Sequence, residues 1–456
     1  MLITNGKLIT WETPNRVLEG YGIHIKDGKI TEVAPLIDLI EKHPEEEKLD
    51  AGGQLVMPGN ICAHTHFYGA YNRGMAIPGP APADFPEILS KLWWPLDQAL
   101  DETSIQHSAL VCLVDAIKNG TTTLFDHHVS PNAIDGSLDA IADVALQAGI
   151  RASLCYEVTD RGGVDKMKQG VRENVRFGQR IASGDHHNHH LAATFGIHAS
   201  LTVSDDTLAL CRESVPDNVG FHIHVAEHSV DEYDSLNKSG LRVIDRLHQF
   251  GILGNRTIAV HAVHVDPEEV CLLAETGTWV THQPRSNMNN GVGIGDVEGM
   301  LHAGIKVCLG NDGFSNAMWD EWSAAYLAHK LWQRDPRRMS GDRVAQMAAY
   351  NNAELASQQF DTCIGTLIPG AAADLIFVDY HPYTPMTSSN LPWHVIFGFQ
   401  SGMVTGTMVS GKLLMWKREL LTLDEEKIFA EALAYAPTVW KKYQKIWDNG
   451  DFHGRI

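Results

Sequence analysis

The chain has 456 residues, 44% of them hydrophobic and 20% charged, with a formal net charge of −20. That length exceeds what one hydrophobic core usually holds, so a large domain with a smaller companion is expected, and the composition is that of an ordinary soluble globular protein. An acidic chain with no clustered Lys and Arg excludes a polyanion partner, because nucleic-acid binders neutralise phosphates with such clusters.

The seven cysteines (Cys62, Cys112, Cys155, Cys211, Cys271, Cys308 and Cys363) are scattered and form no C-x-x-C pair. They suit free thiols in a reducing compartment better than a disulfide framework or a structural zinc site. The opening MLITNGKLITWE alternates like a strand and lacks a basic region followed by an apolar one, so no secretory signal is expected. No run of about 18 apolar residues predicts a membrane span. A cytoplasmic protein is the expectation.

Residues 1–57 read as short strands broken by turns, with Lys26, Asp27, Gly28 and Lys29 supplying a hairpin-type turn. After Met57, Pro58 and Gly59 the texture changes. Until about residue 365, short apolar strands alternate with amphipathic helices. Eight strands are predicted: NICAHTH (60–66), TTTLFDHH (121–128), RASLCYE (151–157), LAATFGIH (191–198), VGFHIHVAE (219–227), TIAVHAV (257–263), GTWVTHQ (277–283) and KVCLGND (306–312). The intervening stretches are helical; residues 104–118, for example, close on Gly120 as a helix-ending glycine should. Eight β-then-α units predict an α/β fold, a closed (β/α)8 TIM barrel.

From Gly365 the chain turns β-like again, in GTLIPGAAADLIFVDY and SGMVTGTMVSGKLLMW. The two terminal pieces, residues 1–57 and 366–418, are expected to pack into one small β-sandwich domain, with the barrel of residues 58–365 inserted between them. Residues 419–456 read as a helical extension with a loose end, suited to cover the barrel or a neighbouring subunit.

The predicted strands finish near His66, Asp126, Glu157, His198, His224, His261, His282 and Asp312. A (β/α)8 barrel assembles its active site at the carboxyl ends of its strands, so polar residues should gather there. His64 and His66 lie two apart on a strand and so face one side, which makes half of a zinc-type site. His224 can supply a third nitrogen, with His222 deeper in the barrel as support. Glu227 lies just past that strand, where a carboxylate can move a proton from water to a leaving group. His261 ends the sixth strand, where an imidazole without a partner would be costly. Asp312 would complete the cation's shell and accept a proton from the attacking water. Three imidazoles and a carboxylate leave one coordination position for water, which can ionise near pH 7 there.

Other features are weighed against plainer readings. Residues 185–190 are rich in histidine but precede the fourth strand, away from the chemistry, and read as a solvated loop. Trp93 and Trp94 could stack on a flat heterocycle or fill core; Phe67 and Tyr68 could line the pocket. Arg285 could pair with a substrate oxygen or anchor its loop. Of His127 and His128, adjacent on a strand, at most one faces the site.

At these motifs the chain resembles the amidohydrolase superfamily, and within it the deaminase and chlorohydrolase branch typified by triazine hydrolases. Pro58 and Gly59 leading to His64 and His66, then His224 with Glu227, His261 and Asp312, follow that branch in order and spacing. The similarity is closer still to SsnA-type aminohydrolases, carried by HFY (66–68), LWWPLD (92–97), DHH (126–128) and RSNMNN (285–290). The resemblance implies one divalent metal, zinc foremost and iron the alternative, on His64, His66, His224 and Asp312. It implies proton transfer by Glu227, His261 and Asp312, and a His198 that faces substrate, with Phe67, Trp94 and Arg285 as further candidates. Gln283 and Asn311 depart from the branch's usual Asn and Thr, which bears on substrate rather than metal. No lysine ends the fourth strand, which argues against the two-metal version of the superfamily. The expected reaction is hydrolytic removal of an amino group from a small purine-, pyrimidine- or triazine-like ring, and the resemblance implies a homodimer. Hydrolysis of a cyclic or exocyclic amide is the alternative, and a silent binding protein a third reading.

Overall fold

The computed structural model describes residues 1–450. Eight parallel strands follow the chain in order: β1 (Asn60–Thr65), β2 (Thr121–His128), β3 (Arg151–Tyr156), β4 (Phe195–Ala199), β5 (Phe221–Val225), β6 (Ile258–His261), β7 (Trp279–His282) and β8 (Val307–Leu309). Every residue of β2 is buried, as expected for a strand covered on both faces. The helix of residues Glu102–Lys118 begins two residues before the predicted stretch, because Asp101 and Ser104 form a capping box.

The sequence predicts one continuous fourth strand; the structure breaks it at Thr194. The piece Leu191–Ala193 pairs with β3, and β4 pairs with β5. The barrel therefore consists of two ladders that meet at this break. On the opposite side, the amides of Asn311 and Asp312 donate to the His64 carbonyl at 3.0 and 3.2 Å and tie the end of β8 to β1. Gly310 permits this approach. A Cβ there would sit 2.8 Å from the backbone N and O of His64.

The terminal segments interleave. Leu375–Val378 pairs antiparallel with Leu55–Pro58, within a seven-stranded sheet that also holds Lys7–Ile9 and Val404–Val409. A four-stranded sheet (Lys29–Pro35, Tyr21–Lys26, Leu2–Thr4, Lys48–Asp50) packs nearby, and Ile3, Ile23, Val56, Leu375 and Phe377 fill a common core. The last described helix, Glu425–Asn449, lies against the barrel, where Trp440 Nε1 donates to the Tyr71 carbonyl at 2.9 Å. No described helix is long and apolar enough to cross a membrane.

Candidate active site

The strand ends deliver their side chains to one point. Donor atoms of His64, His66, His224 and Asp312 all lie within 4.8 Å of one another. Asp312 Oδ1 is 3.1 Å from His64 Nε2 and 3.0 Å from His66 Nε2, and the Nε2 atoms of His66 and His224 are 3.2 Å apart. Each imidazole is oriented from behind. His66 Nδ1 donates to the His127 carbonyl at 2.6 Å and His224 Nδ1 to the His198 carbonyl at 2.8 Å, while His64 Nδ1 is 2.9 Å from His222 Nε2. With their Nδ1 protons so committed, the Nε2 atoms of His66 and His224 face each other as bare lone pairs.

Such an arrangement needs a positive charge at its centre. The residues fit a divalent cation: three imidazole nitrogens and a carboxylate oxygen converge. The local field has the same sense. A proton on His66 Nε2 can supply that charge in a cation's place: burial pushes the His66 imidazole down, but its hydrogen bond to Asp312 and the charges of Asp312 and Glu157 outweigh burial and lift it to about 9. Burial alone would raise Asp312, yet His64 and His66 hold it well below the usual carboxylate range.

The backbone at the mouth is strained. Ala226, His261 and Asp312 have φ of 45°, 71° and 54°, a region that non-glycine residues enter at a cost. Those turns aim the adjoining side chains inward. Glu227 Oε2 is 3.4 Å from His261 Nε2, and Asp312 Oδ2 is 3.9 Å from the same nitrogen. His261 Nδ1 is 2.9 Å from Asn287 Oδ1 and donates to it, which leaves Nε2 a lone pair with no hydrogen-bond partner, facing Glu227 and Asp312. Burial and the Asp312 charge push the Glu227 carboxyl well above its ordinary value, the direction that suits a group that must hold and pass on a proton.

Beyond these groups lies a cavity of about 660 Å³ lined by Tyr68, Trp93, Trp94, Asp97, Arg161 and His198 among others. His198 is held by Thr202, with Nδ1 2.8 Å from Oγ1. Trp94 forms part of the wall, and its buried Nε1 has no partner. Phe67 does not line the cavity: it is 1% exposed, and the wall position belongs to Tyr68, because the chain leaves β1 in a 3-10 turn (Phe67–Asn72) that ends strand alternation. Arg285 is also absent from the wall. It is committed to Glu321 at 2.5 Å and to Ser315, so it anchors its loop. Two other strand ends turn away. Asp126 accepts from the Phe67 amide at 2.7 Å, and His282 Nε2 lies 3.2 Å from His329 Nε2 behind the site.

Sequence reasoning missed an ion pair in the wall. Arg161 Nη1 donates to Asp97 Oδ2 at 2.9 Å, with its guanidinium 5.0 Å above the Trp94 ring centroid. It also missed Asn290, whose amide donates to Glu227 Oε1 at 3.3 Å, and Ser286, whose hydroxyl donates to Asp312 Oδ2. Ser286 and Asn290 stand four apart on the helix Pro284–Asn290, a spacing that places them on one face.

The amidohydrolase family pattern matches residues 55–414. The chain is 30% identical over 441 residues to a 5-methylthioadenosine/S-adenosylhomocysteine deaminase of Acetivibrio thermocellus, spanning 94% of this chain and 96% of the relative. It is 29% identical over 440 residues to a 5′-deoxyadenosine deaminase of Methanosarcina mazei, spanning 95% and 96%. Among solved structures, a zinc-bound adenosine deaminase from Xanthomonas campestris superposes with a TM-score of 0.83 at 23% identity, covering 96% of this chain and 98% of that one. The chain belongs to the amidohydrolase family. It is an enzyme of the kind that hydrolyses non-peptide C–N bonds.

Proposed function

We propose that the protein is a zinc-dependent aminohydrolase that removes the exocyclic amino group of an adenine-type ring carried on a nucleoside. The observation that carries this reading is the placement of the buried Glu227 carboxyl, 3.4 Å from the unpartnered His261 Nε2 and beside the His64, His66, His224 and Asp312 cluster, in the wall of a cavity large enough for a nucleoside. The names of the relatives, deaminases of 5′-deoxyadenosine and 5-methylthioadenosine, support the substrate class.

His64, His66, His224 and Asp312 would hold the cation, which when bound supplies Lewis-acid activation of water at neutral pH. Glu227 presents a proton to the ring nitrogen beside the amino-bearing carbon, which makes that carbon electrophilic. The oxygen of water adds to the carbon as Asp312 takes up the water's proton, giving a tetrahedral adduct. Asp312 passes that proton to Glu227, Glu227 delivers it to the amino group, the C–N bond breaks and ammonia leaves, and the proton of the adduct's hydroxyl returns to Glu227 as the ring carbonyl forms. His261 Nε2, held as an acceptor by Asn287, receives the hydrogen bond of the adding O–H and fixes its direction. Tyr68, Trp93 and Trp94 give the ring flat apolar walls. Asp97 Oδ1 and Trp94 Nε1, both buried without partners, are an acceptor and a donor for the remaining polar atoms of the substrate.

Zinc is our assignment over iron because the adenosine deaminase that superposes on this chain was crystallised with bound zinc. We also take the enzyme to work as a cytoplasmic homodimer. Its cysteines are all free, and Leu327, Leu331 and Trp332 expose an apolar face on the helix Met318–Gln333 that a second copy would cover. Light scattering of the purified protein tests the dimer. The function is tested by incubating the zinc-loaded enzyme with adenosine, 5′-deoxyadenosine, 5′-methylthioadenosine, guanine and an aminotriazine. Ammonia release from an adenine nucleoside with the purine chromophore retained is expected. Ring opening, or turnover confined to amides, would overturn the assignment.

A further inference from the structure

A second cluster of metal-ligating side chains lies in the four-stranded sheet and shares no strand or helix with the barrel. His24 and Glu32 face each other across the antiparallel pair Tyr21–Lys26 and Lys29–Pro35, at a break in register between His24 and Ile25. Such bulges re-aim side chains. His43 caps the helix Leu36–Lys42 and stacks its ring on that of His24, with centroids 3.9 Å apart. Donor atoms of His24, Glu32 and His43 lie within 4.8 Å of one another. Glu46 adds a fourth oxygen, Oε1, 3.4 Å from His24 Nε2.

The tautomer of His24 turns this cluster into a site. His24 is 5% exposed. The Thr31 hydroxyl lies 3.1 Å from the His24 carbonyl and 2.6 Å from His24 Nδ1; in the tautomer that satisfies both contacts its one proton goes to the carbonyl and Nδ1–H donates to its oxygen. Nε2 is then a lone pair. It is buried, has no hydrogen-bond partner, and points at a carboxylate oxygen. Two electron-rich atoms so placed repel unless a cation lies between them, and 3.4 Å is about the separation of two ligands on tetrahedral bonds of ~2.1 Å. The competing cations sit on the outer oxygens: Lys42 on Glu32 Oε2 at 2.7 Å and the Met1 amine on Glu46 Oε2 at 2.5 Å. The inner Oε1 atoms face the imidazoles, Glu32 Oε1 lying 2.9 Å from His43 Nε2. His43 and Glu32 are part-exposed, at 20% and 28%, and are free to turn the last distance.

We propose that His24, His43, Glu32 and Glu46 form a second metal site, separate from the active site, for one divalent cation of the zinc type. Imidazole nitrogen with carboxylate oxygen selects a borderline transition metal over Mg²⁺ or Ca²⁺. Bound there, the ion would tie two strands, a helix end and the loop after it, and so stabilise the small sheet.

The test counts Zn²⁺ on metal-stripped protein by equilibrium dialysis and metal analysis. Wild type should bind two equivalents. His43→Ala and Glu32→Gln, both at part-exposed positions, should each bind one while keeping the circular-dichroism spectrum and activity of wild type, and Zn²⁺ should raise Tm less in them. The double variant His64→Ala/His66→Ala should bind one, and none when His43→Ala is added. If the barrel reading were the one at fault, wild type would bind one equivalent and His43→Ala none, so the two failures are distinguishable. Equal zinc content in wild type and His43→Ala would overturn the second site. So would a second equivalent that survives both small-sheet variants, because it would then lie elsewhere, for example on the histidines of residues 185–190.

Discussion

The floor of the cavity and its cover are built by different means. The floor consists of strand ends whose backbones are hydrogen-bonded on both flanks: His64, His66, His224 and His261 are all at most 8% exposed and are held from behind by His222, His127, His198 and Asn287. The cover is the excursion between β1 and the helix Glu102–Lys118. It contains a 3-10 turn and the short helices Phe85–Ile88 and Trp94–Ala99, and it carries Tyr68, Trp93, Trp94 and Asp97. Few long-range bonds hold it, several of them from the terminal helix. Moving the floor requires disrupting the barrel, whereas the cover is held by side-chain packing and a few hydrogen bonds with no strand pairing of its own. The floor therefore sets the chemistry, and the cover sets which substrate is held. Variants of the floor should act on kcat and those of the cover on KM.

The largest effects belong to the floor. His66→Ala should abolish tight binding of the catalytic metal, and activity with it, to the background of the assay; metal analysis beside turnover checks this. Glu227→Gln keeps the size of the side chain and the contact with Asn290 but cannot relay a proton, so metal content should be unchanged while kcat falls by about 10²–10⁴-fold. Full turnover in Glu227→Gln would remove the relay and with it the distinction between floor and cover.

Next in size is the ion pair in the wall. Arg161→Met leaves the 2%-exposed Asp97 without its partner; the carboxyl can then take up a proton, so the cost is that of an unsatisfied buried polar group, about 1–3 kcal/mol. Chemical denaturation should report that loss, with KM raised at least tenfold and kcat changed less. Asp97 also gives a pH signature. Burial raises its carboxyl from 3.8 to about 7, against the pull of Arg161. The folded state thus holds a proton that the unfolded state releases, and the stability this contributes is complete below pH 3.8 and is lost as pH rises to about 7. One such proton gives a slope of about 1.4 kcal/mol per pH unit. In Asp97→Asn, which cannot titrate, denaturation curves across that window should lose this share of the slope.

The contrast between floor and cover is also a contrast in what the sequence reveals. A strand advertises its last residue, because an apolar run that stops at His or Asp shows where the polar side chain must go. The convergence of His64, His66, His224 and Asp312 could be anticipated for that reason, although the outward turn of His282 toward His329 could not. The break at Thr194 was hidden, since its two flanking pieces read as one apolar run. In the cover no period operates. Phe67 and Tyr68 exchange roles because the strand gives way to a 3-10 turn between them and the ligands. Asp97 and Arg161 are 64 residues apart on separate excursions, and their pairing exists only in three dimensions. Arg285 was ambiguous because a guanidinium reaches equally far toward a ligand or a neighbouring loop; Glu321, which decides it, lies on another helix.

The smallest effects should come from the clasp between the cover and the terminal helix. Tyr443 donates its hydroxyl to the Lys91 carbonyl at 2.5 Å, Tyr435 to Asp101 at 2.7 Å, and Trp440 its indole N–H to the Tyr71 carbonyl. None of these groups is near the reacting atoms, and each bond is worth about 1 kcal/mol net. Tyr443→Phe removes one bond and preserves the ring, so its direct effect on global stability should be a Tm shift of a few degrees at most. The cover, however, is held by few such bonds, and a loss of about 1 kcal/mol from its closed state raises the open fraction roughly fivefold. KM should therefore rise severalfold while kcat stays within about twofold, and amide exchange should quicken in residues 67–100 but not in β5 or β6. An equal loss in kcat, or faster exchange in the strands, would mean that the helix braces the barrel itself and that floor and cover open as one unit.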